Sequence, residues 1–336
     1  KWTSSNPEVA TVDEKTGLVT GISKGDATII VTADDFSSNP VSASCEIGVK
    51  IVTPITGMTF TEDTELNQLG YGQEYQIKYT LEPVDATASL LTWASDNPEV
   101  ISVDKTGKLK VHTTKTASAV ITASYGPVVQ NVTVTVADGR FWYSLGHGLG
   151  NGLDNNWYLD GNNASVVSSD GNKTTVQMGS GYRGDLWLAR SGKGKIVNVT
   201  PADYRYFAIK VGFKSQLVPG KNKPNGCIKL EIFDDGIKKI GPEYFGTGGD
   251  ANNRYEILGA SEISTTEPNV LYYDLQSKYK TVTPTDWNQV FDLVQCKFVI
   301  ADFPETAQTY DLYWIRSFKS IEELQAFVDS ENNTNE

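Results

Sequence analysis

The sequence predicts an all-β protein that consists of two small, repeated β-sandwiches followed by a larger, jelly-roll-like β-sandwich. Alternating runs rich in Thr, Val, Ile and Tyr extend along nearly the whole chain. Clusters of Gly, Asn, Asp and Pro interrupt these runs about every 8–12 residues, a spacing typical of sandwich folds. One pattern of strand and turn residues also occurs twice, and such self-similarity indicates duplicated modules.

The repeated pattern opens the chain. Trp2 corresponds to Trp93, the Asn-Pro-Glu-Val run that starts at Asn6 corresponds to the one that starts at Asn97, and Thr-Gly follows in both copies. These residues predict a strand, an Asn-Pro turn, a strand, a Thr-Gly turn and a further strand. The pattern W-x-S-x-N-P-E-V-x-x-V-D followed by T-G resembles the bacterial Ig-like domain of group 2. That resemblance implies tandem Ig-like β-sandwiches that serve as spacers or adhesion stalks.

The two copies differ in how much of the module precedes the pattern. The second copy has its first strands from about residue 52 onward, whereas the first copy lacks them. We therefore assign a partial Ig-like domain to 1–51 and a complete one to 52–136. Because the chain enters a module halfway, any export signal or lipid anchor is expected before residue 1. The repeated Trp occupies an equivalent position in each copy and is interpreted as a core residue.

The composition changes after residue 136, where Gly, Asn and aromatic residues become frequent. Residues 137–328 contain about eight half-buried strand patterns and are predicted to form one jelly-roll-like sandwich. A single helix is predicted at the end of this domain, where Ser320 and Glu323 form a capping box. Residues 329–336 are predicted to form a flexible tail.

Charge and composition exclude several classes of function. The net charge of −12 argues against nucleic acid as a partner, because nucleic acid requires a basic face. No run approaches the roughly 18 apolar residues of a membrane helix. Cys45, Cys227 and Cys296 do not form a disulfide framework, and Cys45 and Cys296 are interpreted as buried core residues. His147 is the only histidine of 137–328, so a His-rich metal site is excluded there.

No catalytic centre is predicted, so the protein is not expected to be an enzyme, and neither a cofactor nor a metal ion is expected. The glycine loop around His147 lacks a phosphate-loop lysine, and no nucleophile elbow of the G-x-S-x-G type occurs. Paired carboxylates that meet in space stay open as an alternative, as does calcium binding by the F-D-D-G stretch. The acidic residues concerned are Asp185, Glu231, Asp234, Asp235 and Asp311.

The remaining signal is aromatic and indicates a carbohydrate ligand. Pyranose rings pack their apolar faces on Trp and Tyr, while neighbouring amides and charged groups bond the hydroxyls. Trp157 lies in a loop dense in amides, and Trp187 is predicted to face outward because Leu186 and Leu188 face the core. For each Trp, burial beneath a loop is the alternative. The predicted glycan-binding residues are Trp142, Trp157, Tyr158, Tyr182, Arg183, Trp187 and Trp287.

The Ig-like modules and the aromatic last domain together resemble the surface glycan-binding proteins of starch-utilisation-like systems in gut bacteroidetes. The stretches that carry this resemblance are Y-R-G-D-L, Y-R-Y-F-A-I-K and Y-W-I-R-S-F-K-S-I-E-E-L. The resemblance implies an outer-membrane lipoprotein of a polysaccharide utilization locus. Such a protein binds polysaccharide at the cell surface without cleaving it and passes it to an outer-membrane transporter complex.

The glycan expected on physical grounds is a β-linked plant glucan or hemicellulose, because an extended chain of flat rings suits separated aromatic platforms. Two alternative functions are kept. One is a non-catalytic accessory part of a secreted glycoside hydrolase. The other is a cell-surface adhesin, for which an exposed aliphatic patch would replace isolated aromatic rings beside amides.

Overall fold

A computed structural model provides the structure of the chain. The residues that it describes are 1–33, 40–160, 164–179, 184–190, 197–216, 229–234, 238–239, 255–276, 287–300 and 308–333. Within them the structure is β-strand nearly throughout, with one α-helix near the end. The predicted all-β class is therefore confirmed.

The described strands in the first part of the chain are 3 to 17 residues long. Up to residue 144 they are β1 (Trp2–Ser4), β2 (Ala10–Val12), β3 (Val19–Gly21), β4 (Gly25–Thr32), β5 (Ser42–Val49), β6 (Gly57–Phe60), β7 (Leu69–Tyr71), β8 (Glu74–Gln76), β9 (Tyr79–Glu82), β10 (Thr92–Ser95), β11 (Ile101–Val103), β12 (Lys108–Val111), β13 (Ala117–Tyr125) and β14 (Val128–Ser144). Short 3-10 helices lie at Thr64–Asn67 and Ala88–Leu90.

After residue 144, the remaining strands lead to the helix α1 (Ile321–Asn333). These strands are β15 (Tyr158–Leu159), β16 (Ser165–Ser169), β17 (Thr174–Gln177), β18 (Gly184–Ala189), β19 (Val197–Val199), β20 (Tyr206–Phe213), β21 (Lys229–Asp234), β22 (Lys238–Lys239), β23 (Glu256–Ile257), β24 (Asn269–Asp274), β25 (Phe291–Ile300) and β26 (Thr309–Phe318).

The chain divides into two compact units. Unit 1 comprises Lys1–Thr59, Tyr79–Leu91 and Tyr125–Val128. Unit 2 comprises Phe60–Lys78, Thr92–Ser124 and Val129–Glu336. In unit 1, β1, β4 and β5 form an antiparallel sheet, and β2 pairs with β3. Cys45 of β5 is exposed, so the prediction of a buried Cys45 is wrong: β5 is an edge strand whose first half is exposed on both faces.

The repeated Trp and Thr-Gly residues contact each other in each unit. Gly17 in unit 1 has φ +75°, and a Cβ at this position would lie 2.8 Å from the ring of Trp2. Gly107 in unit 2 has φ +84°, and its Cβ would lie 2.6 Å from the ring of Trp93. Only glycine fits both the positive φ and the close approach of the ring. The motif therefore recurs because a half-buried indole covers the turn of its own module.

Strand β14 is 17 residues long and connects two regions of unit 2. Its first part pairs with β13, which in turn pairs with β10. Its last part pairs with β26, where Trp142 lies opposite Arg316. The assigned boundary between 52–136 and 137–328 falls inside this strand, and the domain boundaries themselves stay a prediction.

Two sheets of unit 2 pack across an aromatic core. The larger has the strand order β10-β13-β14-β26-β20-β24-β23, and β17 also pairs with β26. The smaller has the order β15-β18-β25-β21-β22, with β19 beside β25. Phe207 of β20 and Tyr273 of β24 contact Phe298 of β25, with ring centroids 5.7 Å and 5.8 Å apart. The buried rings join the sheets into a β-sandwich.

Helix α1 covers part of the larger sheet. Its Leu324 is fully buried, and its Phe327 packs against Trp314 with ring centroids 5.5 Å apart. The predicted capping residues act at its start: Ser320 accepts a hydrogen bond from the N–H of Glu323 at 3.2 Å. The helix continues to Asn333, so 329–333 are helical and do not form the predicted tail. No helix among the described residues is long and apolar enough to cross a membrane.

Candidate functional site

Trp157 belongs to the core of the sandwich and is not a platform for a ligand. Its ring has no exposed surface and packs against Tyr143 and Phe298, with centroid distances of 6.1 Å and 5.6 Å. The prediction for Trp157 is therefore wrong. The amide-rich loop ends before the indole, and pairing of the next residues with β18 turns the ring into the core.

Trp187 has the predicted orientation but not the predicted exposure. It pairs with Lys297, whereas its neighbour Leu186 pairs with the core residue Phe298, so the two side chains lie on opposite faces of β18. Only 8% of Trp187 is exposed. Lys297 Nζ and the guanidinium of Arg190 lie 4.4 Å and 5.0 Å from the ring centroid. Cations thus occupy positions that a sugar ring would need.

Two of the acidic residues left open as a pair meet beside Trp187. Lys297 Nζ lies 3.0 Å from Asp185 and 3.0 Å from Glu231, and all three side chains are buried. One ammonium thus bridges both carboxylates. Asp311 lies elsewhere and is bound by Lys173 and Lys214 at 2.8 Å and 2.9 Å. This arrangement stabilises strand packing and leaves neither carboxylate free in a cavity.

The other predicted site residues do not assemble around these rings. Tyr158 is buried, with 7% of its surface exposed, and lies against Gly152. Trp287 is half-buried in a turn before β25. Tyr182 and Arg183 lie outside the described residues. Of the seven predicted residues, Trp142 alone lines an open cavity among those that the structure describes in unit 2.

This cavity, here called the cleft, has a volume of about 430 Å³. Strand β14 supplies Trp142, strand β12 and the residue after it supply three further side chains, and the loop after β14 supplies several more. The polar and aromatic side chains of the cleft are those of Glu74, Lys110, His112, Trp142, Tyr143, Ser144, His147, Asp154, Asn155, Asn156 and Arg316. Amide, imidazole, carboxylate and guanidinium groups thus surround one indole.

Trp142 is held rigidly at the base of the cleft. Its ring packs against Phe318 and Phe327, with centroids 5.7 Å and 5.4 Å away. The guanidinium groups of Arg140 and Arg316 lie 4.9 Å and 4.4 Å from the ring centroid. Such cation–π contacts fix the ring and the guanidinium groups relative to each other. Trp142 therefore orients the polar groups around it and has little free face on which a sugar could stack.

The loop after β14 is tied to the residue that follows strand β12 in unit 2. Asn155 Nδ2 donates a hydrogen bond to the carbonyl oxygen of His112. Asp154 accepts the backbone N–H of Asn156 at 3.2 Å, and Gly148 N–H donates to Thr174 at 3.1 Å. These bonds hold the amides of the loop at the rim of the cleft.

Both histidines of the chain line the cleft. The imidazole of His112 lies 2.7 Å from the hydroxyl of Ser102, and burial, assisted by Lys110, lowers the pKa of His112 below its ordinary value of 6.5. The ring of His112 is therefore neutral at pH 7. His147 is exposed at the rim. The sequence analysis placed His147 in a glycine loop and did not relate it to His112, although a chain with only two histidines offered that signal.

The charges in the cleft are partly compensated by neighbours. Glu74 forms an ion pair with Lys108 at 2.5 Å, outside the set of lining residues. Lys110 and Arg316 remain as cations, and Asp154 remains as an anion. The cleft can thus offer hydrogen-bond donors and acceptors to hydroxyl groups with a modest excess of positive charge. Among the described residues, no group of His, Cys, Asp and Glu side chains could hold a metal ion.

Comparison with known families matches most of unit 2 and the start of the chain. Residues 147–324 match the family described as Domain of unknown function (DUF4979), which covers more than half of the chain. Residues 1–42 match the bacterial Ig-like domain (group 2), as the repeated pattern predicted. An uncharacterized protein of Clostridium acetobutylicum is 28% identical over 123 residues. This match covers 37% of the chain and 12% of that protein, so the chain spans a small part of its relative.

Solved structures give weak matches. A structure of carbohydrate-binding modules of the β-sandwich superfamily is 12% identical and has a TM-score of 0.28. The match covers 78% of this chain and 97% of the chain in that structure. The S-layer protein rSbsC(31-844) is 21% identical and has a TM-score of 0.20. The match covers 53% of this chain and 29% of the S-layer chain. A structure of the M60 catalytic domain with two CBM51 domains from Clostridium perfringens ZmpB is 13% identical and has a TM-score of 0.22. The match covers 88% of this chain and 25% of the ZmpB chain. At such TM-scores none of them determines the fold or function of this chain.

Proposed function

We propose a function for a chain that belongs to the family described as Domain of unknown function (DUF4979): it binds polysaccharide in the cleft of unit 2 without cleaving it. The Ig-like part of the chain acts as a spacer. The observation that carries the proposal is the cleft itself, in which amide, imidazole and charged side chains converge beside a fixed indole. Sugar hydroxyls require such convergent donors and acceptors, and the cleft volume lies within the range of ligand sites.

Binding without hydrolysis fits the acidic groups that line the cleft. Hydrolysis of a glycosidic bond usually requires two carboxyl groups, one on each side of the bond. Glu74 is held by Lys108, and Asp154 accepts the backbone N–H of Asn156. Both carboxylates thus have structural partners, and we propose that neither acts as an acid or a base.

The wider setting is also a proposal and depends on the resemblance to surface glycan-binding proteins. In that setting the chain belongs to an outer-membrane lipoprotein at the cell surface, which captures a β-linked plant glucan or hemicellulose and passes it to a transporter complex. The sequence of unit 2 supports a polysaccharide ligand through its aromatic and amide-rich strands and loops.

Affinity electrophoresis against a panel of plant and microbial polysaccharides tests the proposal. We expect retardation by at least one polysaccharide and no release of reducing sugar from it. His147→Ala should weaken binding about tenfold without changing the melting temperature, because His147 is exposed and lines the cleft. Leu153→Ala is the matched control, since Leu153 is 90% exposed in the same loop but does not line the cleft. No retardation by any polysaccharide, or equal binding by both variants, would contradict the proposal.

A further inference from the structure

We infer that Arg316 makes the cleft selective for acidic glycans, with the guanidinium binding the carboxylate of a uronic acid. This inference rests on the proposed glycan-binding function and names the class of glycan. It starts from a contrast between the two guanidinium groups that flank Trp142.

Arg140 has a carboxylate partner. Its Nη1 lies 2.7 Å from Glu65 Oε1 and also donates a hydrogen bond to the carbonyl oxygen of Gln68. The positive charge of Arg140 is thus neutralised inside unit 2. Arg140 is buried, and a buried guanidinium with a carboxylate partner is the ordinary arrangement for such a group.

Arg316 lacks such a partner. Its Nε is buried and has no hydrogen-bond partner in the part of the chain that the structure describes, and no described carboxylate forms an ion pair with it. The side chain is nevertheless only 9% exposed, and it lines the cleft. A buried positive charge without a carboxylate partner is energetically costly. The guanidinium of Arg316 is therefore suited to pair with the anionic group of a ligand.

Among the described residues, Glu331 is the carboxylate that acts on the charge of Arg316, and it already has two other donors. Glu331 accepts hydrogen bonds from Trp314 Nε1 at 3.0 Å and from Lys210 Nζ at 3.1 Å. Burial lowers the pKa of Arg316 to about 10, an effect that Glu331 opposes and Arg140 assists. The guanidinium therefore remains charged at neutral pH.

The aromatic contacts fix the orientation of this charge. The guanidinium of Arg316 lies 4.4 Å from the centroid of Trp142 and 4.3 Å from that of Phe327. Cation–π contacts partly replace the hydration of the cation but provide no hydrogen-bond acceptor in the plane of the guanidinium group. A planar guanidinium matches the two oxygens of a carboxylate in a bidentate arrangement, which a flexible lysine cannot reproduce.

The rest of the cleft suits a sugar that carries this carboxylate. Lys110 adds a second cation, while Asn155, Asn156 and His147 can bond hydroxyl groups of the same or the next ring. The net charge of the chain is −12, which opposes non-specific attraction of polyanions. A preference for acidic glycans must therefore come from the local site.

Calorimetric titration with a matched ligand pair tests the inference: an oligosaccharide rich in uronic acid, and the same oligosaccharide after reduction of its carboxyl groups to alcohols. We expect the full chain to bind the acidic form at least about tenfold more tightly.

Arg316→Lys should abolish most of this preference, because lysine keeps the charge but lacks the planar guanidinium group that binds both oxygens of a carboxylate. Lys110→Ala, at an exposed position, should reduce the preference about threefold without risk to folding. Lys105→Ala is the matched control, since it removes one exposed positive charge outside the cleft and should leave binding unchanged.

The outcomes separate this inference from the proposed function. Equal binding of the acidic and reduced forms would overturn the inference and leave glycan binding in place. Binding of neither form, nor of any other polysaccharide, would overturn both. A sulfated oligosaccharide that binds more tightly than the uronic acid would also overturn the carboxylate assignment. If Arg316→Lys folds poorly, the Lys110→Ala comparison decides, and an unchanged preference there contradicts the inference.

Discussion

At the scale of single residues, the tryptophans of unit 2 differ in what their neighbours leave exposed. Trp157 has no exposed surface, Trp187 lies close to Lys297 and Arg190, and Trp142 lies close to two arginines at the base of the cleft. Stacking of a sugar requires a free ring face. Residue type and loop composition therefore identify candidates, but only the packing around each ring assigns its role.

Replacement of Trp157 tests its assignment to the core. Trp157→Ala should lower the free energy of unfolding by about 3–5 kcal/mol, because it removes a large buried side chain between Tyr143 and Phe298. Chemical denaturation would measure the change, with Leu153→Ala as the exposed control. A loss below about 1 kcal/mol, the range of exposed positions, would show that the ring does not belong to the core.

The carboxylate of Asp311 gives the protein a defined acid sensitivity. Burial alone would raise its pKa, but hydrogen bonds from Lys173, Lys214 and Thr175 outweigh burial and hold the pKa below the ordinary 3.8. A carboxyl whose pKa is lower in the folded state stabilises that state above the unfolded pKa, and this contribution is lost as the pH falls through the folded pKa.

We therefore expect Asp311→Asn to cost about 3 kcal/mol near neutral pH, because it leaves two lysines facing a neutral side chain that is 2% exposed. The difference between the parent and the variant should shrink as the pH falls below about 4. Urea unfolding at a series of pH values measures it. A difference that stays constant down to acid pH would show that Asp311 is not held ionised by its lysines.

At the scale of elements, the Thr-Gly turn shows how a short motif encodes a contact. Gly107 and Gly126 both have positive φ, at +84° and +54°, but a Cβ at Gly107 would lie 2.6 Å from Trp93, whereas nothing lies within 4 Å at Gly126. Both glycines therefore lie in the left-handed region of φ, but only Gly107 has a ring against the position of a Cβ. They form a matched pair for separating conformational strain from steric overlap.

Gly107→Ala should cost about 1–3 kcal/mol more than Gly126→Ala, because the new methyl group overlaps the indole that covers the turn. Thermal unfolding and the near-ultraviolet circular dichroism of Trp93 would report the loss. Equal costs for the two substitutions would mean that the ring moves aside freely and that the motif does not depend on this contact.

At the scale of the whole molecule, the regions predicted as separate domains share structure within unit 2. Strand β14 runs from one to the other, and β7 pairs with it in parallel, with Leu69 opposite Val136 and Tyr71 opposite Phe141. The hydroxyl of Tyr71 also donates to Asn198 at 3.1 Å. The cleft likewise takes side chains from both regions.

A truncated chain of residues 137–336 should therefore be less stable than the full chain and should bind glycan more weakly. The truncation cuts β14, removes Tyr71 from beside Phe141 and deletes Lys110 and His112 from the cleft. Thermal unfolding and titration of the truncated and full chains measure both effects. A truncated chain that melts and binds like the full chain would place the site elsewhere and would support independent domains.

Local patterns in the sequence were sufficient to predict several features of the structure. Alternation predicted the strands, the repeated residues predicted the Ig-like domain at the start of the chain, and Ser320 with Glu323 predicted the start of α1. Each of these depends on residues that are neighbours in sequence. Alternation also predicted which face of β18 carries Trp187. It could not predict exposure, because the residues that cover that face come from other strands and loops.

The sequence by itself determined the all-β class, the recurring Trp and Thr-Gly turn, and the helix cap, because backbone periodicity and turn stereochemistry act over a few residues. Only the tertiary structure decided that Trp157 is buried, that Lys297 joins Asp185 to Glu231, and that both histidines meet Arg316 in one cleft. These contacts join residues that are far apart along the chain. Their formation depends on how the two sheets pack, and the pattern of any single strand does not contain that information.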